Sequence, residues 1–239
     1  MAVSKIQIFD DVEVKLVQQM GSDASVVQAA RVSVTGENVP DVLLNNRDMG
    51  LINYLMRELH GTPFESNAMT FYIKAPIVVA REFMRHRIGV SVNEMSGRYT
   101  VLPGEFYIPD ADRKLINIGT SAKPEFALGD STQVEAVQLV LEDSYKNSWR
   151  AYEYLLEQGI ANEVARLALP VGIMTQWYAT FNARSMMHFL SLRTQVPTAK
   201  HISRPQREIE MVAEKLEAEF GKQFPEVYAA YQRNGRVAP

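Results

Sequence analysis

Arg85-His86-Arg87-Ile88-Gly89-Val90-Ser91-Val92-Asn93-Glu94-Met95-Ser96-Gly97-Arg98-Tyr99 is the stretch on which the reading of this chain turns. It sets three arginines, a histidine, a glutamate, an asparagine and two serines close together. Guanidinium groups are planar donor forks matched to phosphate and carboxylate oxygens. Glu94 adds an acceptor among those donors, and Gly97 permits close approach of a backbone or a ligand. The mixture suits a polyanionic ligand that also carries a polar ring. A solvated surface turn is the ordinary explanation of a basic run. It fits poorly here, because the charges abut an apolar helical stretch of Ile77, Ala80, Phe83 and Met84 rather than a polar tract.

Working outward, composition limits what this cluster can serve. A chain of 239 residues suits one domain over 1–239, and no repeat or compositional break marks a second. The formal net charge of −3 argues against a general attraction to nucleic acid, so the basic cluster needs a local explanation. No apolar run is long enough to span a bilayer. Met1-Ala2-Val3-Ser4-Lys5-Ile6 lacks a signal peptide's apolar core, so a cytoplasmic protein is expected, with no membrane partner. The absence of cysteine excludes disulfides, thiolate metal sites and a cysteine nucleophile. The four histidines, His60, His86, His188 and His201, fall at no metal-binding spacing, so no metal is expected.

Periodicity gives a mixed α/β chain. Val12–Val17 alternates and reads as a strand. Helices are expected from Asp23 through Ala30 and over 47–60, where Leu51, Leu55 and Leu59 recur at helical spacing. Thr62-Pro63-Phe64-Glu65 has the form of a capping box. Met69–Ile73 is β-prone, and Pro76 opens a further helix. Residues 110–130, polar and with Gly119, Pro124 and Gly129, read as a surface excursion. A long helix should run from about 131 to 158. Arg166 belongs to a short helix that Pro170 ends. Met174–Thr180 reads as a strand, with helices over Asn182–Arg193 and Pro205–Phe220.

Helical geometry constrains the arginines. At ~100° per residue Arg81 and Arg85 share a face, while Arg85 and Arg87 diverge by ~200°. Either the helix ends near His86, or the cluster serves two ligands on different sides. The second informative segment is Asn182-Ala183-Arg184-Ser185-Met186-Met187-His188-Phe189-Leu190-Ser191-Leu192-Arg193. As a helix it places Asn182, Met186, Phe189 and Arg193 on one face, with Arg184, His188 and Ser191 opposite. Such a helix suits a position between two surfaces, such as two subunits. The plain alternative is a surface helix capped by Asn182, with Arg193 against its C-terminal dipole.

Arg85-His86-Arg87, then eight residues, then Ser96-Gly97-Arg98 resembles the signature of the flavin-dependent thymidylate synthases. The 182–193 segment resembles the same family's Asn-x-Arg-Ser…Leu-Arg pattern. His60-Gly61-Thr62-Pro63-Phe64-Glu65, Lys74–Arg81 and Val164-Ala165-Arg166…Leu169-Pro170 continue the likeness, which runs from about Val12 to Val227. The chain is identified as a member of that family. The resemblance implies a single-domain α/β fold, helices around a central, mostly antiparallel sheet, and a homotetramer with sites shared between subunits. It implies reductive methylation of dUMP to dTMP, with 5,10-methylenetetrahydrofolate as carbon donor and FAD as hydride carrier reduced by NADPH. The missing Rossmann fingerprint agrees with a flavin held by arginines rather than by a glycine-rich turn.

Residue roles follow from the resemblance. Thr62, Glu65, Arg85, His86, Arg87, Asn93, Glu94, Asn182, Arg184 and His188 correspond to flavin-side positions. Glu82, Arg85, Glu94, Met95, Ser96, Gly97, Arg98, Arg166 and Arg193 correspond to nucleotide-side positions. Arg193 is the catalytic candidate: a cation beside the uracil N3–O4 edge stabilises negative charge as hydride reaches C6. Met186, Phe189 and Leu192 are expected to pack. Two departures stand out. Glu82 occupies a position where many relatives have Gln, and its carboxylate would repel a phosphate unless Arg81 or Arg85 offsets it. The 194–204 segment is a loop insertion relative to compact members; His201 and Arg204 both compete for the place of a histidine before the next helix. Two other readings compete with the enzyme: an RNA- or DNA-binding module using Arg85–Arg98, which lacks a surrounding basic stripe with stacking aromatics, and another flavoprotein on this scaffold.

Overall fold

The computed structural model describes residues 5–36 and 44–239. Met1–Ser4, which belong to the N-terminus read above as lacking a signal peptide's core, lie outside the described residues. In chain order the elements are β1 (Gln7–Phe9), β2 (Glu13–Met20), α1 (Asp23–Thr35), α2 (Asn46–Arg57), β3 (Ala68–Pro76), α3 (Ile77–Phe83), β4 (Val90–Glu94) and β5 (Glu105–Tyr107). They continue with β6 (Lys114–Asn117), β7 (Phe126–Leu128), α4 (Ser131–Glu157), α5 (Asn162–Ala165), β8 (Met174–Phe181), α6 (Ala183–Arg193), α7 (Arg207–Gln223) and α8 (Pro225–Arg233). The main sheet has the order β2-β3-β8-β4; β1 pairs in parallel with β5, and β6 pairs antiparallel with β7. This is the mixed α/β class that the periodicities implied. Among the described residues no helix is long and apolar enough to cross a membrane.

The chain divides into two compact units. The first comprises Met1–Glu13, Lys74–Phe83 and Glu94–Trp177. Its core forms where α4 lays Tyr145, Trp149 and Tyr152 against Leu102, Phe106, Ile108, Ala165 and Ile173. The Phe106 and Tyr145 rings stack at 4.8 Å, and Trp149 meets Phe106 edge-on. Buried phenols need polar partners. Tyr145 donates to the Tyr107 carbonyl at 3.0 Å, and the Tyr152 oxygen accepts the Leu102 N–H at 3.1 Å. Asp130 and Gln133 close a reciprocal capping box that starts α4. Residues 111–130, which carry the β6–β7 pair, include no buried residue.

The second unit comprises Val14–Ile73, Met84–Asn93 and Tyr178–Pro239. Its core draws Met186, Phe189 and Leu190 from α6, Ile209, Val212, Leu216 and Phe220 from α7, and Val227 and Tyr231 from α8, all fully buried. The start of α8 is satisfied within the unit. Buried Asp23, in the first turn of α1, accepts the Val227 and Glu226 N–H groups at 2.9 and 3.1 Å and so caps α8. Burial nonetheless raises its carboxyl above the usual carboxylate range, outweighing the pull of those two hydrogen bonds. Residues 194–204, between α6 and α7, contain no helix or strand.

Three local expectations need correction. Thr62–Glu65 forms a single 3₁₀ turn without a side-chain cap, not a capping box, because Glu65 is drawn to Arg184. Arg81 and Arg85 do not share a helical face, since α3 stops at Phe83 and the chain turns before Arg85. Leu192 is 46% exposed rather than packed.

Candidate functional site

In the second unit, a turn over 84–89 leads into β4. The turn docks on the N-terminus of α6. Gly89 has φ +67°, and a Cβ there would lie 3.0 Å from Ser185 Cβ. The Ser185 hydroxyl donates to the Gly89 carbonyl at 2.8 Å. Asn182 caps α6, its side-chain oxygen accepting the Ser185 N–H at 2.8 Å, so the plain capping reading of Asn182 holds locally.

This docking encloses a cleft of about 310 Å³ lined by Arg85, His86, Arg87, Ile88, Val90, Ser185, His188, Leu192 and Arg193. Its rim is cationic: Arg85 and Arg87 are exposed and, among the described residues, pair with no acceptor. Its wall is apolar, from Ile88, Val90 and Leu192. Deeper, Arg193 Nε donates to His86 Nε2 at 2.8 Å. His86 is therefore an acceptor at Nε2, which requires the neutral ring with its proton on Nδ1. Burial, with Arg193, His188 and Arg85 nearby, lowers its pKa to about 4. The ring packs edge-on against buried Phe189 at 4.7 Å. The result is a permanently charged guanidinium held in place by a neutral imidazole.

The α6 helix is less two-faced than its sequence suggests. Ala183, Ser185, Met186, Met187, Phe189 and Leu190 are all buried, leaving an exposed strip of Arg184, His188 and Leu192. Arg193, half-buried at the last position of α6, lines the cleft. Arg184 is not a lining residue: its Nη1 pairs with Glu65 Oε1 at 2.6 Å. Thr62, Glu65, Asn93 and Asn182 likewise stay out of the lining set. Ser185, Ile88, Val90 and Leu192 line the cleft without having been singled out as ligand residues. Ser185 and Leu192 carry a signal as the serine and leucine of the Asn-x-Arg-Ser…Leu-Arg pattern.

The first unit holds the remaining candidates. Glu94 is anchored by Thr175, whose buried hydroxyl donates to Glu94 Oε1 at 2.7 Å. Met95 is fixed through its backbone, its N–H donating to the Gln176 carbonyl at 2.8 Å. Buried Gly97 is packed tightly, since a Cβ there would meet Leu102 at 3.0 Å. Ser96 Oγ accepts the Arg98 N–H at 3.3 Å. Arg98 itself pairs with Glu163 at 2.9 Å and stacks over Tyr99. Both partners are half exposed, so this pair holds Arg98 only weakly and a stronger anion can displace it. Arg166 opens the 3₁₀ turn after α5, half-buried, and Glu82 is half-buried on α3. In the second unit, His201 and Arg204 are both exposed. Among the described residues no cluster of three or more His, Asp or Glu is placed to hold a metal ion.

A family profile described as "Thymidylate synthase complementing protein" matches residues 15–226. A flavin-dependent thymidylate synthase of Streptomyces avermitilis is 55% identical over 231 residues, covering 96% of this chain and 94% of that one. A protein of the same name from Streptomyces coelicolor is 53% identical over 237 residues, covering 98% and 96%. Among solved structures, the UMP/dUMP methylase PolB from Streptomyces cacaoi, bound with 5-Br dUMP, matches with a TM-score of 0.92 at 46% identity, covering 98% of this chain and 100% of that one. The match runs through both arginine-bearing segments and nearly the whole length, and the chain belongs to the flavin-dependent thymidylate synthase family.

Proposed function

We propose that this chain reductively methylates dUMP to dTMP, with 5,10-methylenetetrahydrofolate as carbon donor and FAD, reduced by NADPH, as hydride carrier. The observation that carries the reading is the Arg193–His86 couple inside a cleft rimmed by two unpaired arginines. The PolB relative is described as a UMP/dUMP methylase, which supports a uridine nucleotide as substrate.

The residues present fit a flavin. Arg85 and Arg87 supply donors for anionic oxygens, and Ile88, Val90 and Leu192 supply an apolar wall for a ring. A volume of about 310 Å³ accommodates one ring system rather than a whole dinucleotide, so the rest of the cofactor extends beyond this cleft. His86, Arg87 and His188 would hold it there, with Thr62, Glu65, Asn93, Asn182 and Arg184 as further flavin-side residues. When bound, FAD supplies the two-electron reducing chemistry.

The chain's own residues supply the rest. With no cysteine to add to the pyrimidine ring, activation must come from charge. Arg193 would stand at the N3–O4 edge and stabilise the negative charge that develops there. His86 keeps that guanidinium oriented without adding a competing cation, since the imidazole is neutral near pH 7. Arg98, Arg166, Ser96 and the backbone at Gly97 would bind the nucleotide, with Met95 beside them. Glu94, held by Thr175, would accept from a ring or sugar donor. Glu82 is assigned to the nucleotide only if Arg81 or Arg85 offsets its charge. Residues 1–239 are taken to work as one domain, assembled as a homotetramer with shared sites. Light scattering tests the assembly; a fully active monomer would contradict it.

The direct test is the visible spectrum of the purified protein with added FAD, followed by NADPH and dUMP. A bound flavin spectrum that bleaches on those additions is expected. No FAD binding at saturation would remove the enzyme reading.

A further inference from the structure

Gly61 is a glycine whose backbone does not call for one. Its φ of −74° and ψ of −37° lie in the right-handed helical region open to every residue. By backbone alone an alanine would be favourable there, since it narrows the unfolded ensemble. What forbids a side chain is Arg184. A Cβ on Gly61 would stand 2.5 Å from Arg184 Cζ and Nε, and 2.9 Å from Nη2. The guanidinium therefore lies directly on the backbone of this buried glycine.

Two hydrogen bonds fix it from other sides. Nη1 donates to Glu65 Oε1 at 2.6 Å, and Nε donates to the main-chain oxygen of Pro239 at 2.5 Å. The chain leading to Pro239 is itself tied down. Arg236, buried and at a φ of +59°, donates to both carboxylate oxygens of Glu217 at 2.6 and 2.8 Å and to Thr194 Oγ1 at 2.8 Å. Non-glycine residues adopt that φ only where their surroundings hold them. Among the described residues Nη2 meets no acceptor. An arginine seated on glycine, held at Nη1 and Nε and left with Nη2 to spare, is preorganised to receive an anion.

We propose that Gly61 is a positioning residue for Arg184: by lacking a Cβ it seats the guanidinium so that Nη2 binds an anionic oxygen of the flavin cofactor. The inference rests on the flavin reading of Arg184 given above. Because the clash falls on the far end of a flexible side chain, Gly61→Ala should displace Arg184 without unfolding the protein.

The experiment is an equilibrium FAD titration, followed by flavin fluorescence, of the full chain and of Gly61→Ala, Arg184→Ala and the double variant. Gly61→Ala should raise the FAD Kd about tenfold, the value of one charge-assisted hydrogen bond, while leaving the flavin-free Tm equal or higher. In the Arg184→Ala background the same change should alter Kd by less than about twofold. Deleting Val237–Pro239 removes the acceptor of Nε and should weaken FAD only where Arg184 is present. An unchanged Kd in Gly61→Ala, or an equal loss in both backgrounds, would overturn the proposal while leaving the flavin reading intact. Failure of the parent chain to bind FAD would overturn both.

Discussion

Replacing His86 by phenylalanine removes the acceptor that orients Arg193 while keeping a ring against Phe189. In the structure Arg193 Nε donates to His86 Nε2 at 2.8 Å, and the imidazole sits 4.7 Å from the Phe189 ring. A hydrogen bond from a charged donor is worth about 1.5–3 kcal/mol. Arg193 makes other interactions as well, so the loss should fall in the lower half of that range. That corresponds to a fall of roughly 10- to 50-fold in kcat for dTMP formation. The assay is steady-state dTMP formation with FAD and dUMP both saturating, which separates orientation of Arg193 from flavin affinity. His86→Gln, which keeps a side-chain acceptor, should recover a large part of the loss. If the Phe and Gln variants lose equally, or if His86→Phe matches the parent once FAD saturates, His86 does not position Arg193.

The depressed pKa of His86 makes folding stability pH-dependent. The folded ring takes up its proton only near pH 4, the unfolded one near 6.5, so the contribution is complete above 6.5 and lost as pH falls from there through 4. For this partly exposed ring it should amount to ~1–2 kcal/mol, visible as a smaller drop in Tm between pH 7.5 and 4.5 in His86→Phe than in the parent. Asp23→Ala leaves two N–H groups at the start of α8 without their acceptor and should cost about 1–3 kcal/mol in urea denaturation.

The helices were legible where apolar residues recur at helical spacing, and the structure adds the caps. In α2 the Leu51–Leu55 rhythm follows an Asn45 cap, and α4 starts at the Asp130–Gln133 box. Beta structure was harder to read. β1 and β5 have three residues each, too few for alternation to declare itself. β4 lies inside the arginine-rich stretch, where Val90 and Val92 alternate but the charged neighbours drew the chemical reading. The α8 helix has no distinct sequence signal: Pro225 stands at its first turn, but Phe224-Pro225 reads equally well as a stop after α7. At the site, Arg85, His86, Arg87, His188 and Arg193 were legible because their chemistry is unusual in such density. Their assembly into one cleft was not. It depends on the turn at Gly89 docking against Ser185, a contact 96 residues apart in sequence. The Gly61–Arg184 contact was hidden for the same reason, since a glycine in helical backbone carries no sequence signal of what lies above it.

The assignment of Arg193 to the pyrimidine and of the cleft around it to the flavin is tested most directly by one comparison: flavin content against dTMP yield in Arg193→Ala. The account predicts that this variant keeps its FAD and any basal NADPH oxidation but loses dTMP formation by roughly two orders of magnitude or more. A variant that loses FAD, yet forms dTMP at the parent rate once FAD is restored, would contradict it.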